Sequence, residues 1–266
     1  LKAKAGSSEA IAVEASSIPA IISSFKIVCF NKKQNHNPVI DVTGLFIGDV
    51  AEFSPKNSIN ASSLDKKRTF MNGIKVFKTN IETRVLATYR PKPKKRSRFS
   101  FATGPKTITV EIHHSMIKLP EKPMMARIAD NRIGYFGHSY QEYSDKDQQA
   151  VKTVRLIHRF RLEKKFPDQK ISVPKKPIVF YIGRGVPEKY KKYVKMGIED
   201  WQPAFEQAGF KNAIIGKYAP SKKENPNWDA EDARYSSVRW LPSTIQNAMG
   251  PHVADPRSGE TLEADI

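Results

Sequence analysis

Residues 177–218, PIVFYIGRGVPEKYKKYVKMGIEDWQPAFEQAGFKNAIIGKY, constrain the fold more than any other stretch of this 266-residue chain. PIVFYI is a nearly continuous apolar run, the pattern of a strand covered on both faces. Behind it Tyr190, Val194, Ile198, Trp201, Phe205 and Ala208 recur at three- and four-residue spacing, which commits one face of a long helix to packing. Pro187 suits the first helical position, Glu188 complements the positive helix end and Gly209 offers a left-handed stop. Gly197 and Pro203 oppose the helix by about 1 and about 3 kcal/mol, so a kink is expected over 195–199. KNAIIGKY reads as a second buried strand. After a polar loop, YSSVRWLP reads as a third. The order strand, helix, strand, strand implies an α/β layer with a right-handed crossover. GPHVADPRSGETLEADI closes it as a hairpin around Pro256 to Gly259, its second strand cut off at its apolar last residue.

The pattern before Pro174 is different. FKIVCF, PVIDVTGLFI, ETRVLATY, TITVEIHHSM and KTVRLIHRFRLE are short alternating or apolar runs and read as strands. SSLDKKRTFMNGIKVF holds room for one short helix, capped by Ser63 or Asp65. The expected fold class is therefore α+β, with a β-rich region over 1–173 and an α/β layer over 174–266.

Composition limits the functional classes. No run approaches the ~20 apolar residues of a spanning helix. The single cysteine, Cys29, excludes an internal disulfide framework or a zinc site of several thiolates. Its apolar surroundings suggest buried packing. A net charge of +18 favours acidic partners, and nucleic acid is one candidate. The densest cluster is Tyr89 to Phe99, where Arg90, Lys92, Lys94, Lys95, Arg96 and Arg98 lie between two aromatics. Its prolines keep it out of a regular helix, so it reads either as a polyanion-binding loop or as a solvated linker between strands.

Catalytic motifs are incomplete. Of the six histidines, none has the His-Glu-x-x-His spacing that sets two imidazoles on one helical face around zinc. His113 and His114 are adjacent in a strand and point to opposite faces. There is no Gly-x-Ser-x-Gly elbow, and YIGRGVP lacks both the P-loop spacing and the dinucleotide fingerprint. Asp229, Glu231 and Asp232 lack the glycine and bidentate glutamate of an EF-hand, and read as a capping or ion-pairing cluster with Arg234.

GIEDWQPAFE, AGFKNAII, EDARYS, NAMGP and DPRSGE closely resemble the start of the catalytic domain of bacterial zinc-dependent metallopeptidases of metzincin type, over Pro174 to Ile266. VIDVTGLFIGDV, LDKKRTF, HHSMIKLPEKPMMARIADNRIGYF and KTVRLIHRFRLE resemble the long N-terminal region that precedes the peptidase in that family. The resemblance implies an exported protein that hydrolyses peptide bonds through a zinc-bound water. It also implies that the zinc-binding helix and its ligands follow Ile266, so that this chain, with neither metal ligands nor a catalytic residue of its own, is a fragment inactive alone. Only the substrate-holding edge strand falls within the sequence, at Asn247, Ala248, Met249, Gly250, Pro251 and His252. Pro251 has no N–H, so it must face away from a bound peptide or sit at a bulge. The implied partners are a peptide or protein substrate and the rest of the peptidase domain. Two alternatives stand beside this reading: a basic module for nucleic acid or another polyanion, and an inhibitory propeptide-like region in which His113, His114 or Cys29 approaches the metal.

Overall fold

The structure is a computed structural model and describes residues 3–33, 36–93, 106–143, 151–243 and 245–266. It is a mixed, strand-rich α+β protein. The chain divides into two compact units, one of residues 18–117 and one of residues 118–266 together with 1–17. The latter includes a short helix α1 (Ser8–Ser16), capped by the Ser7 side chain accepting from the Ala10 N–H.

In residues 18–117, strands β1 (Ile27–Asn31) and β2 (Asn37–Ile40) form a two-stranded antiparallel ribbon. None of its residues is buried, and Cys29 is exposed. The expectation of a buried thiol therefore fails: an apolar run in a two-stranded ribbon has no second layer to cover it.

PVIDVTGLFI, read as one strand, is also corrected. The Asp41 side chain accepts from the Thr43 N–H at 2.9 Å, a local turn that stops the strand at Ile40. Helix α2 (Thr43–Ile47) follows and delivers Phe46 to the core.

Strand β3 (Ala61–Leu64) leads to a single 3₁₀ turn over 66–68, capped by Asp65, at the place of the expected short helix. Strands β4 (Phe70–Val76), β5 (Asn80–Pro91) and β6 (Ile108–Ile117) complete an antiparallel sheet in which β5 is central to all three partners. Val85, Ala87 and Tyr89 of β5 point to one face and pack with Phe46 and Ala61. Lys94, Lys95, Arg96 and Arg98 of the basic cluster lie outside the described residues, between β5 and β6.

In the other unit, β7 (Gly137–Glu142) and β8 (Lys152–Ile157) form an antiparallel hairpin. Strand β9 (Ile178–Ile182) starts the α/β layer with Ile178, Phe180 and Ile182 buried on one face and Val179 and Tyr181 half-buried on the other.

Helix α3 (Glu188–Glu199) ends two residues before α4 (Gln202–Gln207). The break lies at 200–201, not at the expected 195–199. Pro203 is at the second position of α4, where no intrahelical N–H is needed, and the bond it cannot donate is the one to Glu199. Gly209 takes φ +89° and ends the helical segment as expected.

Strand β10 (Ile214–Tyr218) pairs parallel with one side of β9 and β11 (Ser236–Val238) with the other. Strands β12 (His252–Ala254) and β13 (Thr261–Ala264) form the closing hairpin. β13 joins the sheet beside β11: Ser237 bridges Asp265 in parallel, Ile266 N–H donates to Ser237 O at 2.9 Å and Arg239 N–H to Ile266 O at 2.6 Å. The order across the layer is thus β10-β9-β11-β13-β12, with β12 antiparallel to its neighbour and outermost.

Candidate functional site

The edge strand and the face beside it form the candidate site. Asp265 N–H donates to Pro251 O at 3.0 Å, which fixes 251 and 265 as a hydrogen-bonded pair of the hairpin. Alternation then turns the main-chain groups of Val253 toward β13 and those of His252 outward. Across the irregularity between Val253 and Ala254, Asp255 N–H donates to Glu260 O at 2.8 Å, so Ala254 again faces outward. No strand among the described residues pairs with that outer side. Pro251 therefore spends its missing N–H on the inner side, where it costs the outer edge nothing. Asn247 to Pro251 precede the strand as irregular chain, with Met249 exposed and Asn247 N–H bonded back to Ile245 O. Of these six residues only His252 lies in β12 itself.

The turn after β12 holds this edge in register. Asp255 is fully buried, and its carboxylate receives the Arg257 N–H at 2.8 Å and the Arg257 guanidinium at 2.7 Å. Those Arg257 bonds hold the carboxyl below its usual range, against the opposing effect of burial. Glu260 receives Arg161, and Arg257 also donates to Pro120 O. Gly259 adopts φ +74° and packs directly against the Ile157 carbonyl at the end of β8.

Beside the edge, a pocket of about 640 Å³ opens on the sheet face that carries Ile178 and Ala264. Phe160, Leu162, Phe205 and Ile266 extend its apolar wall, and Arg127, Arg159, His158 and His252 contribute its polar part. Burial, then the neighbouring charge of Arg127, lowers the Arg159 pKa. Arg159 nonetheless remains charged at any physiological pH, because a guanidinium is so strongly basic.

Three histidines that the sequence left unrelated meet here. His138 on β7, His158 just past β8 and His252 on β12 stand in a row: His138 Nδ1 is 3.0 Å from His158 Nε2, and His158 Nδ1 is 2.7 Å from His252 Nε2. His138 Nε2 is 2.9 Å from the carbonyl of Pro256. Because each contact uses a different nitrogen of His158, the rings form a chain rather than converge on a point. Among the described residues no group of three His, Cys, Asp or Glu could hold a metal ion.

The other sequence candidates have partners of their own. His113 and His114 take opposite faces of β6, as expected: His113 Nε2 is 2.8 Å from the buried Glu82 carboxylate, while His114 packs against Phe46 and Phe53. Asp232 is buried and ion-paired with Arg234, the role expected of the acidic cluster. On the opposite face of β9, Tyr181, Trp228 and Tyr235 pack together with Arg184 over the Trp228 ring at 5.4 Å. Among the described residues no helix is long and apolar enough to cross a membrane.

A family model described as a domain of unknown function (DUF5117) matches residues 1–165. No curated protein and no solved structure matches the chain. The match spans more than half of the sequence, and the chain belongs to that family.

Proposed function

We propose that this member of the DUF5117 family is the N-terminal part of an exported zinc-dependent metallopeptidase of metzincin type, with residues 174–266 forming the first half of its catalytic domain. The observation that supports the reading best is the strand order β10-β9-β11-β13-β12, parallel except for an antiparallel outer strand, with α3 and α4 in the crossover from β9 to β10. That order agrees with the resemblance carried by GIEDWQPAFE and DPRSGE. The apolar pocket against Ile178, Phe205 and Ala264 supports it independently, as a face of the size and character a further helix would cover.

On this reading the chain supplies substrate positioning. An extended peptide adds to the outer side of β12 through the main-chain groups of His252 and Ala254. The described residues do not fit zinc, since no suitable cluster of ligands exists among them, and no step of hydrolysis is assigned to them. The metal and its ligands belong, in this proposal, to polypeptide following Ile266.

The test is a polypeptide extended past Ile266, assayed for bound metal and for cleavage of a quenched-fluorescent peptide mixture. Hydrolysis that a chelator abolishes, and that residues 1–266 alone do not show, is the expected result. Ala254→Pro removes an outward N–H without breaking the hairpin ladder, so it should raise KM about tenfold, the loss of ~1.4 kcal/mol of binding, while leaving kcat within a few-fold. An extended protein without metal or hydrolysis would refute the reading.

A further inference from the structure

We propose that His138, His158 and His252 form a clasp that ties the edge strand β12 to the β7–β8 hairpin, tightened by a first proton and opened by a second. The clasp follows from the hydrogens the row can hold and does not depend on the peptidase reading.

The Pro256 carbonyl can only accept, so His138 Nε2 carries a hydrogen. If His138 is neutral, its Nδ1 is bare and accepts from His158 Nε2–H across 3.0 Å. His158 Nδ1 is then bare and accepts from His252 Nε2–H across 2.7 Å. One carbonyl thereby fixes the tautomer of all three rings, and the neutral row leaves a single unprotonated nitrogen without a bond in the row, His252 Nδ1.

A first added proton has room at that nitrogen without disturbing any contact of the row. It converts the His252 to His158 bond into a charge-assisted one, which is stronger. A second proton has no such place. Each gap between rings already holds one hydrogen, and a further one sets N–H against N–H and breaks a link.

The surroundings agree with a capacity of one. Burial, then the proximity of His252 and His138, pushes the His158 pKa below its ordinary value. The charged groups around the row are Arg127, Arg155 and Arg159 beside it, and the Asp255–Arg257 and Glu260–Arg161 pairs in the turn beyond β12. A guanidinium stays charged at physiological pH, and the bonds from Arg257 hold the Asp255 carboxyl below its usual range.

The clasp joins residues that are 20 and 94 positions apart. Its opening therefore frees the strand end at which the outward main-chain groups begin.

Ring nitrogen resonances of the full 266-residue chain, followed by two-bond ¹H–¹⁵N correlation against pH, test the row directly. All three rings should be Nε2–H tautomers at pH 8, and His252 should take up the first proton while amide exchange in β12 and β13 is unchanged or slower. Uptake of the second should raise that exchange at least tenfold after correction for intrinsic rates. In His158→Gln the amide can turn over to satisfy either neighbour and binds no proton, so the acid-induced rise should shrink to within twofold. His158→Asn, whose amide likewise binds no proton and can accept from His252, should do the same, and serves if His158→Gln does not fold. An Nδ1–H tautomer at His138 or His158 at pH 8 would overturn the proposal. So would three independent titrations, an undiminished rise in both variants, or stoichiometric Zn²⁺ binding to the three rings at pH 7.5.

Discussion

Replacing Gly259 by alanine tests whether the closing hairpin depends on one backbone conformation. At φ +74° an alanine is strained by about 1–2 kcal/mol. Its Cβ would also stand 2.1 Å from the Ile157 carbonyl oxygen and 3.1 Å from the carbonyl carbon. Neither side yields easily. Arg159 N–H donates to Gly259 O at 3.0 Å and Thr261 N–H to Arg159 O at 2.8 Å, so the turn and the end of β8 are bound to each other on both sides of the clash. Relieving such overlap costs about 1–3 kcal/mol, for a total of roughly 2–5 kcal/mol. Thermal unfolding followed by circular dichroism should show a midpoint lowered by roughly 5–15 °C. The shift of the turn should also lengthen the His158 to His252 contact and disperse their ring resonances. A midpoint within 1 °C of the parent would refute the reasoning, since it would mean that the turn relaxes without cost.

Two further outcomes follow from the same structure. Gly197 lies inside α3 with an ordinary φ and open space where a Cβ would be, so Gly197→Ala should stabilise the chain by about 0.5–1 kcal/mol in urea unfolding. Burial, then the charge of His113, lowers the His114 pKa, so the unfolded chain binds a proton at a pH where the folded one does not. Stability of residues 18–117 should then be full above about pH 6.5 and fall as pH drops from there through the folded value. His114→Gln should flatten the change in urea midpoint between pH 7.5 and 5.0, and an equal change in both proteins would count against it.

The parts of the fold legible in the sequence are those set by short-range periodicity. The 3.6-residue spacing of Tyr190 to Ala208 located the helical segment, and the unbroken PIVFYI located a strand with cover on both faces. The Pro256 to Gly259 chemistry located the hairpin. Where two local rules competed, the reading slipped. Alternation in PVIDVTGLFI pointed to a strand, but the Asp41 to Thr43 bond turns the chain and starts α2. The apolar neighbours of Cys29 imply burial only under a second layer, and the ribbon leaves them uncovered.

The histidine row had no local signal at all. Alternation states which way His138 and His252 point on their own strands. It does not state that the β7–β8 hairpin meets β12, a pairing set by the turn at Gly259 against Ile157 and by the Arg159 to Glu260 bridge.

The outward side of β12 has a consequence beyond substrate. An unpaired strand edge accepts any extended chain, including the same strand of another copy. Mutual repulsion between copies, each with a net charge of +18, opposes that encounter in dilute buffer. Because added salt shortens the range of the repulsion without touching main-chain hydrogen bonding, ionic strength sets how often two such edges find each other.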